Sequence, residues 1–367
     1  MTTDEKVGAA ARQFEIKGKF LGAEPYGSGH INDTYRATFQ NGGEPFFHIR
    51  QRINHHIFKR PDALMENIQR VTSHLAAKVL FEPERDRLVL SLVPARDGPA
   101  WHVDSDGNYW RAYRFIEKAH SYDAIETEEQ AFEGAKAIGR FQQLLVDLPA
   151  PRLHETIKNF HNTPMRFKAL EDAIATDLAG RVREAGPEIE FGLSRKAIGS
   201  ILLEANLPER ITHNDTKFNN VLIDDATGQG ICVIDLDTVM PGLALHDFGD
   251  LVRTATSPVN EDERDLSKVT MRLSMFEAIV RGYLSSAGGF LTKEEKQYLV
   301  FSGKLMTFEQ GIRFLTDFLS GDAYYKVHRK EQNLDRCRTQ FKLMDSIERQ
   351  EAEMSRIVQC VIAGKTS

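Results

Sequence analysis

Cysteine is nearly absent: Cys232, Cys337 and Cys360 are the only three in 367 residues, with no Cys-x-x-Cys spacing. An odd, scattered set excludes a disulfide framework and argues against a thiolate zinc site, and Cys232 in an apolar run reads as a small core residue. No apolar stretch is long enough to span a bilayer, and Met1 to Val7 are too charged and polar for a signal peptide, so the expected compartment is the cytoplasm. Positive charge is not in excess either. With 47 Lys and Arg against 53 Asp and Glu, the formal charge of -6 gives no general attraction to nucleic acid or an anionic membrane. Internal repeats and low-complexity runs are also missing. What remains is an ordinary globular composition, 41% hydrophobic and 27% charged, long enough for two lobes and an ample core. Small molecules are the expected partners, and the sequence is silent on oligomeric state.

Against that background one segment stands out: His213-Asn214-Asp215-Thr216-Lys217-Phe218-Asn219-Asn220, followed by Asp235 in Val233-Ile234-Asp235-Leu236-Asp237. Phosphoryl transfer needs a carboxylate to accept a hydroxyl proton and, one short loop away, an amide that can hold Mg²⁺. Asp215 and Asn220 have that spacing, and Lys217 stands where an ammonium can meet the charge spreading over the transferred group. The apolar runs 221–223 and 231–234 flank Asp224 to Gly230 as a hairpin, from which Asp235 emerges as a second metal ligand beside Asn220. Taken singly, Asp215 and Asn220 read more readily as turn residues. Their order with a Lys and a second carboxylate makes the composite signal. Asp237 fits either the metal site or a cap of the turn after it and stays outside the metal set; Asp247 reads as a buried brace for the catalytic loop.

Upstream, Tyr26-Gly27-Ser28-Gly29-His30 is a strand-to-strand turn whose glycines let backbone N–H groups approach phosphate, though such a turn alone is usually only a hairpin. The next strand carries Arg50 and Arg52 on one face. A helix from Pro61 to about Lys78, with Leu64, Ile68, Val71 and Leu75 on one side, carries Glu66. Arg52, or Arg50, paired with Glu66 is the candidate cation and acid for the nucleotide phosphates. Strands follow at 88–93 and 109–116 around an Asp104–Gly107 turn; Phe115 and Glu117 then open a hinge at 117–121 whose backbone would receive adenine. Further helices are expected at 126–146, 166–185, 195–205, 266–287, 293–319 and 335–363. The expected organisation is α+β and two-lobed: a nucleotide-binding lobe at 1–116, the hinge, and a mainly helical catalytic and substrate-binding lobe at 122–367. Arg313, in a fairly apolar helix, needs a polar partner, either a ligand or a carboxylate such as Asp317 or Asp322. Tyr324 and Tyr325 read as packing aromatics or as a cover for the apolar face of a sugar.

These residues, with Gln51-Arg52-Ile53-Asn54, Met240-Pro241-Gly242 and Gly311-Ile312-Arg313-Phe314-Leu315, resemble the aminoglycoside phosphotransferase and choline kinase superfamily over nearly the whole chain. The flanking motifs are most similar to its N-acetylhexosamine 1-kinase branch. The resemblance implies a protein-kinase-like fold and transfer from ATP, with Mg²⁺, to the anomeric hydroxyl of N-acetylglucosamine or N-acetylgalactosamine. It implies Asp215 as base, Asn220 and Asp235 as metal ligands, and Gly27, Ser28 and Gly29 over the phosphates. Arg313 and Tyr324 would contact the sugar, with His30, Asn32 and Asn214 nearby. One departure is that relatives outside this branch offer a Lys where this strand has Arg50-Gln51-Arg52. The rival readings are a kinase of the same fold acting on homoserine, choline or an aminoglycoside, a nucleotide-binding regulator without turnover, and a metal-dependent hydrolase, for which a His-rich metal cluster is missing.

Overall fold

The alternation of apolar and polar residues through the first third of the chain builds a sheet, and the 3.6-residue period that dominates afterwards builds helices. A computed structural model describes residues 3–27 and 31–365. In chain order these form α1 (Thr3–Ala11), β1 (Lys19–Pro25), β2 (Asp33–Gln40), β3 (Phe46–Ile53), α2 (Pro61–Lys78), α3 (Arg85–Leu88), β4 (Trp101–Val103), β5 (Tyr109–Arg114) and β6 (Ala119–His120). There follow α4 (Glu128–Leu144), α5 (Thr163–Thr176), α6 (Gly186–Ser194), α7 (Ile201–Glu204), β7 (Arg210–Thr212), β8 (Val221–Asp224), β9 (Gly230–Val233) and β10 (Met240–Gly242). The chain closes with α8 (Ala244–Ala255), α9 (Leu273–Ala287), α10 (Lys293–Gln297), α11 (Leu299–Leu319) and α12 (Gln332–Ile362).

Two compact units emerge. The first comprises residues 1–119, 147–158 and 231–240; the second comprises 120–146, 159–230 and 241–367. The first is built on an antiparallel sheet in the order β1-β2-β3-β5-β4. Its core gathers Val7, Phe14, Ala37, Phe39, Trp110 and Ala112, from α1, the sheet and the segments beside it. On α2, Leu64, Ile68, Val71 and Leu75 are all buried, as their spacing requires. The β4–β5 turn closes as its Asp-x-x-Gly sequence dictates: Gly107 takes φ +79° and the Asp104 carboxylate accepts the backbone N–H groups of Asp106 and Asn108. No regular strand forms at 88–93. Val93 donates to Ala112 and Arg114 to Ser91, but Pro94, with no N–H to donate, follows at once.

The second unit is helical. Phe167, Leu170, Phe308, Ile312, Phe318, Leu334 and Phe341 form one core shared by α5, α11 and α12. Four expected helices change shape: the one at 266–287 is a 3₁₀ turn over Leu266–Lys268 and then α9, from Leu273. The one at 166–185 stops at Thr176, because Asp177 turns to φ +41° and its carboxylate accepts the Val182 N–H. That at 195–205 is a 3₁₀ turn running into the short α7, and 293–319 breaks at Tyr298 into α10 and α11. A helix not expected from the sequence, α8, follows the hairpin. This helix lies tightly on α11: a Cβ at Gly249 would stand 2.3 Å from the Ser302 carbonyl oxygen, so only glycine permits the approach.

Candidate active site

In the second unit, β7 leads into the catalytic loop and α8 braces it. The buried Asp247 carboxylate accepts the backbone N–H of His213 at 2.9 Å and of Asn214 at 2.7 Å, and Gln142 donates to it at 2.6 Å. Burial pushes its carboxyl up, against the opposing pull of those donors and His213. Asp247 therefore is the loop brace expected of it. Asn214 is held at φ +65°, and its amide exchanges hydrogen bonds with Thr212. This turn aims the next residue, Asp215, whose side chain keeps 27% of its surface exposed.

Asp215 and Lys217 form an ion pair at 3.0 Å. Burial opposes ionisation of Asp215, but Lys217, then His213 and Arg253, outweigh it and hold the carboxyl below the usual carboxylate range. Lys217 is raised in turn, first by Asp215, against desolvation. A 3₁₀ turn over Phe218–Asn220 brings Asn220 back onto the loop, where its Nδ2 donates to the Asp215 carbonyl at 2.8 Å. Among the described residues nothing donates to Asn220 Oδ1, so a hard oxygen donor is left for a cation. A cluster of three or more His, Cys, Asp or Glu suited to a metal is not found among the described residues, so any metal here rests on a sparser oxygen set.

Arg313 sits on the same unit's α11. Its Nη1 donates to Gln310 at 3.0 Å, and its guanidinium lies over Phe160 and Tyr325 at 5.1 and 5.8 Å. Neither carboxylate offered by the sequence partners it: Asp317 accepts the Tyr324 and Tyr325 N–H groups, and Asp322 pairs with Arg181. Arg166 lies close enough to repel it, so two guanidiniums gather beside Phe160, while Tyr324 is half exposed. Two further residues were invisible in the sequence. His161 bonds the Asn214 carbonyl through Nε2 at 2.9 Å and Glu309 through Nδ1 at 2.8 Å.

The first unit holds the remaining candidates. Asp235 adopts φ +58°, an orientation that aspartate tolerates better than most residues and that turns the chain sharply out of β9. Two residues on, the buried Asp237 forms an ion pair with Arg111 of β5 and accepts from Asn32 Nδ2 at 2.5 Å. Asn32 is thereby committed, since its Oδ1 also accepts the Asn54 N–H. Arg111 stands opposite Gln51 on β3 and donates to it at 2.9 Å. Burial opposes the Arg111 charge, but Asp237, Tyr113 and Asp235 sustain it. The pairing expected between Arg52 and Glu66 is not formed. Arg52 is bound to Asp33 across the β2–β3 ladder, and Glu66 to His154 at 2.9 Å. Arg50 is fully buried over Phe14, where desolvation lowers it to about 9. The sheet cation beside the Asp235 turn is Arg111, two strand ends away in sequence but adjacent to Gln51 in register.

Gly27 takes φ +79°, and the preceding Tyr26 packs edge-on against Phe115 at 5.6 Å; Glu117 is exposed. Ser28, Gly29 and His30 lie outside the described residues.

Residues 22–269 match the model of the phosphotransferase enzyme family, and the chain belongs to that family. It is a phosphotransferase. Similar solved structures cover nearly the whole chain and show the shared fold. An aminoglycoside phosphotransferase from Alicyclobacillus acidocaldarius subsp. acidocaldarius DSM 446 is 12% identical, with 97% of this chain and 94% of that one covered and a TM-score of 0.55. A microcompartment-associated aminopropanol kinase is 16% identical over 96% and 98%, TM-score 0.53. A choline kinase from Cryptosporidium parvum Iowa II is 13% identical over 98% of each chain, TM-score 0.52. The fold is accordingly the α+β kinase-like one, antiparallel sheet and helical parts included. No helix among the described residues is long and apolar enough to cross a membrane.

Proposed function

We propose that the protein transfers the γ-phosphoryl group of ATP to the anomeric C1 hydroxyl of an N-acetylhexosamine, N-acetylglucosamine or N-acetylgalactosamine. The observation that carries the acceptor reading is the Arg313 guanidinium, hydrogen-bonded to an amide and laid over aromatic rings, with Glu309 one turn away as a counter-charge it does not bond and Arg166 beside it. Two guanidiniums repel a choline, an amino alcohol or an aminoglycoside, whose charges are positive. They suit a neutral polyol with an acetamide carbonyl, which accepts from an N–H donor, and Tyr324 and Tyr325 offer rings for its apolar face.

In this reading Asp215 takes the C1 hydroxyl proton as the oxygen bonds to phosphorus and the bond to ADP breaks. An anomeric hydroxyl is more acidic than an ordinary alcohol, so a carboxyl kept ionised suffices as base. Lys217 faces the phosphoryl oxygens, and Arg313 and Tyr324 orient the sugar with Asn214, Asn32 and His30 nearby. Asn220 and Asp235 would hold Mg²⁺, which when bound supplies positive charge to the nucleotide phosphates. The nucleotide lobe would be 1–116, with Gly27 to Gly29 over the phosphates, and 117–121 the hinge, with Phe115 and Glu117 beside adenine. The catalytic lobe would be 122–367.

The test is ADP release from ATP and Mg²⁺ with N-acetylglucosamine, N-acetylgalactosamine, glucose, galactose, choline, homoserine and kanamycin. Turnover confined to the two N-acetylated sugars, giving an acid-labile, alkali-stable phosphate, supports the reading. Turnover with choline or kanamycin instead would discard it and leave the family assignment standing.

A further inference from the structure

His161 lies on neither the catalytic loop nor a motif of the sequence, yet it is bonded to the loop at its most constrained residue. Its Nε2 is 2.9 Å from the Asn214 carbonyl oxygen, which can only accept, so Nε2 donates. Its Nδ1 is 2.8 Å from Glu309 Oε1, and Glu309 Oε2 accepts the Thr163 hydroxyl at 2.6 Å. Burial alone would raise the Glu309 carboxyl; His161, Arg313 and Thr163 outweigh it and hold it at about 2. The ring contact at 5.0 Å is with His246, which burial and His161 push down to about 3 and so keep uncharged.

We infer that His161 is a positioning residue: its imidazole bridges the Asn214 carbonyl and Glu309, tying the loop that carries Asp215 to the helix that carries Arg313. Glu309 and Arg313 are one helical turn apart on α11, so the clamp joins the base to the side chain assigned above to the acceptor. The second half of that statement rests on the sugar-kinase reading; the first half does not. The need for a clamp is local. Asn214 is a non-glycine residue at φ +65°, a conformation that persists only when its surroundings over-determine it. Asp247 fixes its N–H, Thr212 its side chain and His161 its carbonyl, so all three polar handles are occupied. The charged and titratable groups around the ring are Glu309 and Arg313 from α11, Arg166 from α5, and His246 and Asp247 from α8.

Two variants of the full-length protein test the bridge. His161→Gln should lower kcat for ATP with N-acetylglucosamine about 100-fold, as expected when a base is misplaced by about 1 Å, with the KM for ATP unchanged. Amide hydrogen exchange over residues 213–215 should speed up in His161→Gln and, to a smaller degree, in Glu309→Gln, while protection elsewhere in α8 and α11 is kept. Should His161→Gln not fold, Glu309→Gln carries the exchange measurement alone. Unchanged exchange in the loop, or an unchanged kcat in His161→Gln, overturns the proposal. If the unsubstituted enzyme does not phosphorylate N-acetylglucosamine, the sugar reading fails, and the exchange alone decides the clamp.

Discussion

Asp237 and Asp215 each sit beside a cation, and the two pairs are built in opposite ways. Asp237 meets Arg111 with side chains 5% and 1% exposed, and a donor from Asn32 to the carboxylate and an acceptor in Gln51 for the guanidinium complete a dry network. Asp215 meets Lys217 with 27% and 48% exposed, and among the described residues no second side chain bonds the lysine, Asp250 acting on it only at a distance. A dry pair loses several kcal/mol when one member is removed, because the other is left charged without water. A wet pair is worth about 0–1 kcal/mol to the fold and stays free to exchange its partner for a substrate. One carboxylate is thus spent on holding a turn in place, and the other is kept available for chemistry.

The largest expected effect is on the wet pair's chemistry. Asp215→Asn should lower kcat by about 10²- to 10⁴-fold, the usual worth of a general base, while the thermal midpoint scarcely moves. A comparable loss of stability would place Asp215 in the frame rather than the reaction. Arg111→Met should show the reverse order of effects, with about 3–5 kcal/mol lost in urea unfolding. Adding Asp237→Leu should return part of that loss, and a double variant no better than the single one would deny that the two charges are coupled. Next in size, Arg313→Ala should raise the KM for the acceptor about tenfold or somewhat more, the loss of one hydrogen bond to a charged group, and leave the KM for ATP alone. Arg52→Ala should change stability by less than about 1 kcal/mol, as for other exposed pairs, with no change in the KM for ATP. A marked rise in that KM would restore Arg52 as the phosphate cation.

The acid limb of the kcat/KM profile gives the finest comparison. Because Asp215 is held below the ordinary carboxylate range, activity should persist as pH falls through that range and fail only beneath it. The sign is fixed by the direction of the shift: a depressed carboxyl keeps its charge, and whatever stability depends on it, until pH drops through the folded-state value. Lys217→Met removes the chief cause and should move the limb toward higher pH. An unmoved limb would mean that another group titrates there.

Much of this was legible in the chain wherever the relevant partners are close in sequence. The loop from His213 to Asn220 could be read because its geometry is local, and α2 because Leu64, Ile68, Val71 and Leu75 repeat at helical spacing and are buried. Asp247 was foreseen as a brace from its place just beyond the hairpin. The failures share a cause. Arg52 and Glu66 looked like a pair by analogy of position, but register put Arg52 opposite Asp33 and left Gln51 opposite Arg111, a relation no one-dimensional spacing contains. His161 and Glu309 are separated by 148 positions, and each alone looks like an ordinary buried polar residue. The helix expected to run through 185 ended where one aspartate adopted a left-handed turn, a choice made by its own hydrogen bond to Val182 rather than by hydrophobic period.

The glycine at 249 carries a consequence for motion. With no side chain between α8 and the Ser302 carbonyl, and with Gly303 facing Val252 in the same seam, the two helices interlock backbone to backbone and cannot slide past one another. Whatever breathing the enzyme undergoes during turnover, the brace under the base and the helix bearing Arg313 must travel together as one rigid block, so slow amide exchange should be shared across α8 and the facing half of α11.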